Sequence, residues 1–314
     1  MATFQHTPVL VSEVCSLLQA SSNKNFIDGT VGGGGHAQAL LDLTAPHGKL
    51  LGCDLDAQAV AAAAERLAGY GERLTLRLIN YKQIQTLKDD LSVLNPISGL
   101  VLDLGLSSYQ LDTAERGFSF HEQGSLDMRF DTRSGLRADD ILRSWSEEEL
   151  GTLFREYGEE RDWRKVARAI VALRKEKPEF GVQDLVQLIE SIIPRWQRSL
   201  HPATKAFQAL RIAVNKELDN IQEFLPTIFT FLPVGARLAI ISFHSLEDRI
   251  VKQYFQAESR DCICPPNIPL CRCGHKARLK IITKKLIRPS ETEVQRNPRS
   301  RSALLRVAEV LAYE

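Results

Sequence analysis

Nine residues, Asp28-Gly-Thr-Val-Gly-Gly-Gly-Gly-His36, constrain this chain more than any other stretch. They follow a short apolar run, Asn25 to Asp28 (NFID), and lead into a helical pattern, Ala37 to Leu43. A strand that turns through glycines into a helix lets the backbone approach a ligand closely. The helix start adds unpaired N–H groups and a favourable dipole. The pattern predicts a nucleotide-like cofactor at the end of the first strand of an α/β sheet.

The neighbouring sequence supplies that sheet. Lys49 to Asp54 (KLLGCD), Leu74 to Ile79 (LTLRLI) and Ile97 to Asp103 (ISGLVLD) read as strands, and alanine-rich Ala57 to Leu67 reads as a helix. Alternating β and α elements imply a parallel sheet with helices on both faces. Arg237 to Phe243, Leu279 to Lys285 and Ala303 to Glu309 supply three more strands, making seven, with a helix at Leu246 to Phe255. A further helix opens at Pro202 and runs through FQALRIAVNKELDNIQEFL to Leu225.

The alternation is interrupted. Leu104 to Arg137 is a Gly-, Ser- and Asp-rich loop, and such length inside a domain points to function. Apolar stripes at Leu150, Leu153, Phe154 and Tyr157, at Val166, Ile170 and Leu173, and at Leu185, Leu188, Ile189 and Ile192 follow as helices. The expected organisation is a Rossmann-like sheet domain in two parts, 1–108 and 204–314, around an inserted helical domain at 109–203.

With 314 residues, 44% of them hydrophobic, the chain is long and apolar enough for a buried core. MATFQHTPVL has no basic segment followed by an apolar run, and no stretch approaches the roughly 20 apolar residues of a membrane helix. A cytoplasmic protein is expected. The net charge of +1 conceals a division: Arg272 to Arg306 carries +9 and the remainder −8. A basic segment on an acidic body suits a polyanionic partner, and equally a solvated face. A homodimer is compatible with the sequence, which does not set the oligomeric state.

Six cysteines are too few for a disulfide scaffold. Cys15 and Cys53 sit among apolar neighbours, while Cys262, Cys264, Cys271 and Cys273 cluster. In a reducing compartment the cluster reads as a structural zinc site of four thiolates or as unmetallated loop thiols, and the C-x-C spacing leaves both open.

The cofactor has two candidates. Gly32, Gly34 and Ala37 satisfy the dinucleotide fingerprint of an NAD-dependent oxidoreductase. Asp54, twenty-six residues beyond Asp28, is placed to accept from both hydroxyls of a ribose in either case. Asp28, however, would repel a pyrophosphate and attract the ammonium of a methionine moiety. The two closing strands also replace a second βαβαβ half, so S-adenosylmethionine is favoured. A non-catalytic RNA-binding protein is the third reading. Asp103, Ser107, Ser108 and Gln110, at and beyond the end of the fourth strand, are candidates to line the adenine or acceptor side, or to form a polar turn.

A succession of motifs narrows the choice: HTPVL (His6 to Leu10), DGTVGGGGH, LDLGLSSYQLD (Leu102 to Asp112), RGFSF (Arg116 to Phe120), LDMR (Leu126 to Arg129), YGEE (Tyr157 to Glu160), HPATKAFQALRIAVNKEL (His201 to Leu218), ISFHSLEDRIVK (Ile241 to Lys252) and NPRSRSALLRVAE (Asn297 to Glu309). Together they resemble the family of bacterial ribosomal RNA small subunit methyltransferase H over nearly the whole chain. The resemblance implies a class I S-adenosylmethionine-dependent methyltransferase fold with a helical insertion. It also implies methyl transfer to the exocyclic N4 of a cytosine in the decoding region of 16S rRNA, within the small ribosomal subunit. The family's cofactor contacts fall on Gly34, Gly35, His36, Asp54, Tyr81, Asp103 and Gln110. Tyr81 stands where the family often has Phe, and Ser125 replaces the Pro of GPLDMR, which is expected to loosen that loop.

For such a reaction Asp103 and Ser107 are expected to accept a hydrogen bond from the attacking amine, and His244 to receive the proton. Phe118 and Phe120 would stack on the base, with Arg116 and Arg129 on neighbouring phosphates; loop packing is the alternative for these residues. Lys284, Lys285, Arg288, Arg296, Arg299 and Arg301 would hold the RNA backbone.

Overall fold

The computed structural model describes residues 8–107, 110, 113–120, 124–194, 200–265 and 270–312. Strands β1 (Asn25–Asp28), β2 (Leu50–Asp54), β3 (Leu74–Leu78), β4 (Ile97–Asp103) and β5 (Arg237–Ser242) pair in parallel in the order β3-β2-β1-β4-β5. Strand β7 (Leu304–Val310) adds antiparallel to β5, and β6 (Leu279–Ile281) antiparallel to β7. The sheet order reverses at β1 and β4, so the ends of β1, β2 and β4 flank the switch point where ligands of open α/β sheets bind.

Period-two burial sorts each strand between two cores. Phe26, Leu50, Val101, Ala239 and Ile241 face helices α1 (Val11–Leu17), α2 (Gly35–Leu43) and α3 (Ala57–Arg66) through Val14, Leu40, Leu41 and Ala63. Ile27, Leu51, Cys53, Leu100, Leu102, Leu238 and Ile240 face the other way, onto Ile221, Phe224, Leu225, Ile228 and Phe255. Each large aliphatic side chain so buried stabilises the fold by about 1.5–3 kcal/mol. Cys15 and Cys53 are buried in these cores as small hydrophobes.

β6 is shorter than the predicted Leu279 to Lys285. The Thr283 hydroxyl accepts the Val307 amide at 2.9 Å in place of a backbone carbonyl, which ends the regular ladder.

The chain divides into two compact units, Met1–Gly105 with Leu218–Glu314, and Leu106–Glu217. The second contains α5 (Ala138–Ser144), α6 (Glu147–Glu156), α7 (Trp163–Glu176), α8 (Val182–Ile192) and α9 (Thr204–Asn215), numbered after α4 (Lys88–Val93) of the first. Its core joins the expected stripes, including Leu150, Phe154, Val166, Ile170, Leu185 and Ile189, to Phe207 and Leu210 of α9. Thus α9, which the sequence reading grouped with the sheet, packs in the helical unit. The single helix expected from Pro202 to Leu225 is two, because Lys216 is left-handed at φ 52° and separates α9 from α10 (Glu217–Phe224). Around that break Arg211 grips Glu217 through bonds of 2.8 and 2.9 Å, and the Asn215 amide donates to the Met128 and Arg211 carbonyls. Helices α11 (Ser245–Glu258) and α12 (Glu291–Arg296) belong to the first unit. Among the described residues no helix is long and apolar enough to cross a membrane.

Candidate active site

Three aspartates end three adjacent strands: Asp28 on β1, Asp54 on β2 and Asp103 on β4. The glycine turn threads between them. Asp54 accepts the Gly32 amide at 2.9 Å and the Asp56 amide at 2.9 Å, which fixes both its carboxylate and the bend, where Gly32 is left-handed at φ 50°. Asp103 is tied to the turn by its own amide, which donates to the Thr30 hydroxyl at 2.6 Å. Its Oδ1 accepts the Gly105 amide at 3.0 Å, and its Oδ2 lies 3.9 Å from His36 Nδ1.

Asp28 is the unusual member. Its side chain is 1% exposed; one oxygen accepts the Thr30 amide at 3.2 Å and the other, Oδ2, has no hydrogen-bond partner among the described residues. A buried carboxylate in this state is costly. Burial raises its pKa to about 7, with Asp103 and Asp54 adding to the rise and His36 opposing it. Burial likewise lifts Asp54 to about 6 against its backbone hydrogen bonds.

The structure brings most of the expected cofactor residues to this point. Tyr81 opens a 3-10 turn at the end of β3, its ring edge-on to Phe224 at 5.3 Å, and a Cβ on Gly29 would lie 3.3 Å from Tyr81 Cβ. Gly34 is left-handed at φ 81°, and Gly35 begins α2. Both glycines are also required by packing, since a Cβ would press on Leu67 at Gly34 and on Pro8 at Gly35. His36 is buried and bonds the Val9 carbonyl through Nε2 at 2.9 Å, so its ring anchors the chain before α1 while its other nitrogen faces Asp103.

Ser107 and Gln110 belong to the helical unit, where each backbone amide bonds the other's side chain, Ser107 N to Gln110 Oε1 at 3.0 Å and Gln110 N to Ser107 Oγ at 3.2 Å. They form the polar turn weighed as the alternative. Ser108, His6 and Thr7 lie outside the described residues.

Several expected contacts with RNA are turned inward. Arg116 is 6% exposed and donates to the Arg129 and Phe130 carbonyls at 2.9 and 3.1 Å. Phe118 is buried against Phe130, and Phe120 stacks on His201 at 4.6 Å. Arg129 is paired with Asp127 at 2.8 and 2.9 Å. The loop-packing alternative is the one displayed, because burying Phe118, Leu126 and Met128 in the helical core fixes the backbone that these arginines must satisfy. At Ser125, where the loop is expected to loosen, the hydroxyl donates to the Glu115 carbonyl at 2.6 Å.

His244, the expected proton receiver, stands just past the end of β5. It caps α11, with Nδ1 accepting the Glu247 amide at 3.4 Å and Nε2 3.1 Å from Glu247 Oε1. Both ring nitrogens therefore face one residue, and Glu247 in turn accepts the Phe243 amide at 2.8 Å. Thr30 and Glu247, which hold the Asp103 and Phe243 amides, are not among the residues expected from the sequence. The His-x-x-Glu spacing at a helix start, akin to a capping box, was the available signal for the second.

The C-terminal cations divide as well. Arg306 and Arg278 are spent on Asp248 and Glu258 of α11, whereas Lys284, Lys285, Arg288, Arg296, Arg299 and Arg301 are exposed.

The buried acidic surround tests the cofactor. Three carboxylates beside a glycine turn suit a ligand with cationic ammonium and sulfonium groups and ribose hydroxyls, and oppose a pyrophosphate.

Comparison with known proteins agrees. The model of the MraW methylase family matches residues 3–311. Ribosomal RNA small subunit methyltransferase H of Syntrophotalea carbinolica is 47% identical over 305 residues, 96% of this chain and 97% of that protein. The protein of the same name from Heliobacterium mobile is 47% identical over 98% of this chain and 99% of its own length. The chain belongs to the MraW methylase family and has the Rossmann-like fold of S-adenosylmethionine-dependent methyltransferases.

Proposed function

We propose that this chain methylates RNA of the small ribosomal subunit, with the exocyclic N4 of a cytosine in the decoding region of 16S rRNA as the acceptor. The observation that carries the cofactor half is the Asp28, Asp54 and Asp103 cluster on the glycine turn. The acceptor half rests on the names of the relatives and on the motif succession, supported by the exposed basic side chains between Lys284 and Arg301.

When bound, S-adenosylmethionine supplies an electrophilic methyl group on sulfur. Asp54 holds the ribose hydroxyls, and Asp28 compensates the ammonium with the oxygen that otherwise lacks a partner. An exocyclic amine conjugated to a pyrimidine is a weak nucleophile, so the chain must hold it in line and accept a hydrogen bond from it. Asp103 takes that role. Its side chain is only 11% exposed; the Gly105 amide orients the carboxylate, and Thr30 holds the backbone amide. His244 holds the turn between β5 and α11.

The test is incubation with tritium-labelled S-adenosylmethionine and either free 16S rRNA or small subunits from cells lacking the modification. Label in N4-methylcytosine of the decoding region is the expected result. Label elsewhere overturns the acceptor, and stabilisation by NAD but not by S-adenosylmethionine overturns the cofactor.

A further inference from the structure

The methyl-transfer site makes no use of the four clustered cysteines, which lie between α11 and β6. The sulfur atoms of Cys262, Cys264, Cys271 and Cys273 all lie within 4.8 Å of one another, with Cys271 to Cys273 at 3.5 Å and Cys273 to Cys262 at 3.9 Å. A zinc ion bound by four thiolates at about 2.3 Å sets sulfur–sulfur edges of about 3.8 Å, so the cluster has the size of one tetrahedron. Every cysteine is a free thiol. We propose that Cys262, Cys264, Cys271 and Cys273 bind one Zn²⁺ as a structural, four-thiolate site.

The backbone is arranged for such a role. The Cys264 amide donates to the Cys262 sulfur at 3.4 Å, and the amides of Ile263 and His275 donate to the Cys273 sulfur. Hydrogen bonds of this kind orient thiolate ligands and compensate their charge. Gly274, directly after Cys273, is left-handed at φ 63°, a conformation glycine adopts without strain, and it turns the chain so that the next amide points back at sulfur.

The neighbouring histidine is committed elsewhere. His275 bonds the Arg260 carbonyl through Nδ1 at 2.9 Å and faces the Glu258 carboxylate at 3.5 Å, at the C-terminal end of α11. With the Arg278 amide on the Glu258 carbonyl and the Ala277 amide on Asp261, it closes the root of the loop, leaving four sulfurs as the ligand set.

The described apolar side chains of the loop are not buried. Ile263 is 50% and Leu270 73% exposed, and three of the four cysteines are exposed. A short segment without apolar burial is ordered by a cross-link or a metal. One ion bridging the Cys262 and Cys271 pairs supplies what burial does not. A two-iron cluster would place the pairs on different irons and spread the sulfurs beyond this tetrahedron.

Elemental analysis of the full chain, purified under reducing conditions without chelator, is expected to find one zinc per chain. Co²⁺ added to the metal-free chain is expected to give the intense visible bands of tetrahedral thiolate coordination, saturating at one equivalent and displaced by Zn²⁺. A Cys262→Ser/Cys271→Ser variant is expected to lose both signals while still binding S-adenosylmethionine. The proposal is overturned by weak octahedral cobalt bands, by four thiols reacting freely in zinc-supplemented native protein, by disulfides in acid-quenched protein, or by iron with sulfide. Because the cobalt titration uses the unsubstituted chain, it does not depend on the variant folding.

Discussion

Aspartates serve opposite ends in two loops of this molecule. At the strand ends, burial pushes Asp28 up to about 7, and one of its oxygens has no hydrogen-bond partner among the described residues. In the loop and helix start after Arg116, Asp131 is bonded to Arg133 and Asp140 to Arg137, and those guanidinium groups hold both carboxyls below the usual range. Composition does not distinguish the two regions; partnership does. A charge neutralised within its own loop has done its work on folding, whereas a buried carboxylate whose second oxygen has no hydrogen-bond partner among the described residues is arranged for a ligand that brings one.

The contrast is broken most directly at its extremes. Asp54→Ala removes a charged acceptor for two ribose hydroxyls, each such hydrogen bond being worth about 1.5–3 kcal/mol, so S-adenosylmethionine binding is expected to weaken by about 100-fold or more in calorimetry. Asp28→Asn is expected to weaken binding by about tenfold or more while the melting temperature holds or rises, because an ill-solvated buried charge is removed. Lower stability with unchanged binding would show that Asp28 is structural.

Arg116→Met should give the reverse pattern. Two backbone carbonyls lose a buried charged donor, so unfolding in denaturant is expected to show a loss of about 2–3 kcal/mol, with cofactor affinity unchanged. An intact fold with weakened RNA binding would return Arg116 to the RNA surface. For the half-screened Arg129, the expected loss on substitution by Ala is no more than about 1 kcal/mol.

These two loops also mark what could be read without a structure. The strand-end carboxylates were legible because a short apolar run locates each strand and an Asp closes the run, so topology alone brings Asp28, Asp54 and Asp103 together. The direction of Arg116, Phe118 and Phe120 was not. An aromatic and arginine string fits RNA or a core equally, and the choice is made by distant helices such as α9, whose Phe207 meets Phe120. The break at Lys216 escaped for the same reason, since helix propensity runs unbroken through it and the contacts around it, from Asn215 to Met128 and Phe130, come from residues more than eighty positions away in the sequence.

A pH titration sharpens the contrast further. The Asp28 pKa of about 7 in the folded chain stands above its ordinary 3.8, so the folded state holds the proton more tightly. Its contribution to stability is complete below the ordinary value and is lost as pH rises through about 7. Cofactor affinity must run the other way, since the cation prefers the ionised carboxylate. Binding is expected to tighten by about 20-fold or more between about pH 5.5 and pH 7.5, with Asp54, lifted to about 6, adding to the lower part of the rise, below the range in which the ligand's own amine loses its proton. A flat profile, or the same slope in Asp28→Asn, would remove Asp28 from the site.

The smallest effect is expected at His244, which stands between the two classes. It lies beside the end of β5, as a catalytic group would, yet both of its nitrogens face Glu247. If it only holds the turn, His244→Asn keeps the cap, because asparagine also accepts from the first helical turn. The single-turnover rate should then stay within about threefold, whereas removal of a true proton acceptor costs about 10²–10⁴. The chemistry favours the smaller figure: the exocyclic nitrogen, once it has taken the methyl group, is a strong acid and gives its proton to water without a dedicated base. What it needs earlier is an acceptor that draws its lone pair out of conjugation, and that task falls to Asp103. Asp103→Asn should accordingly lower the single-turnover rate well beyond His244→Asn, and equal losses in the two variants would restore His244 to the reaction.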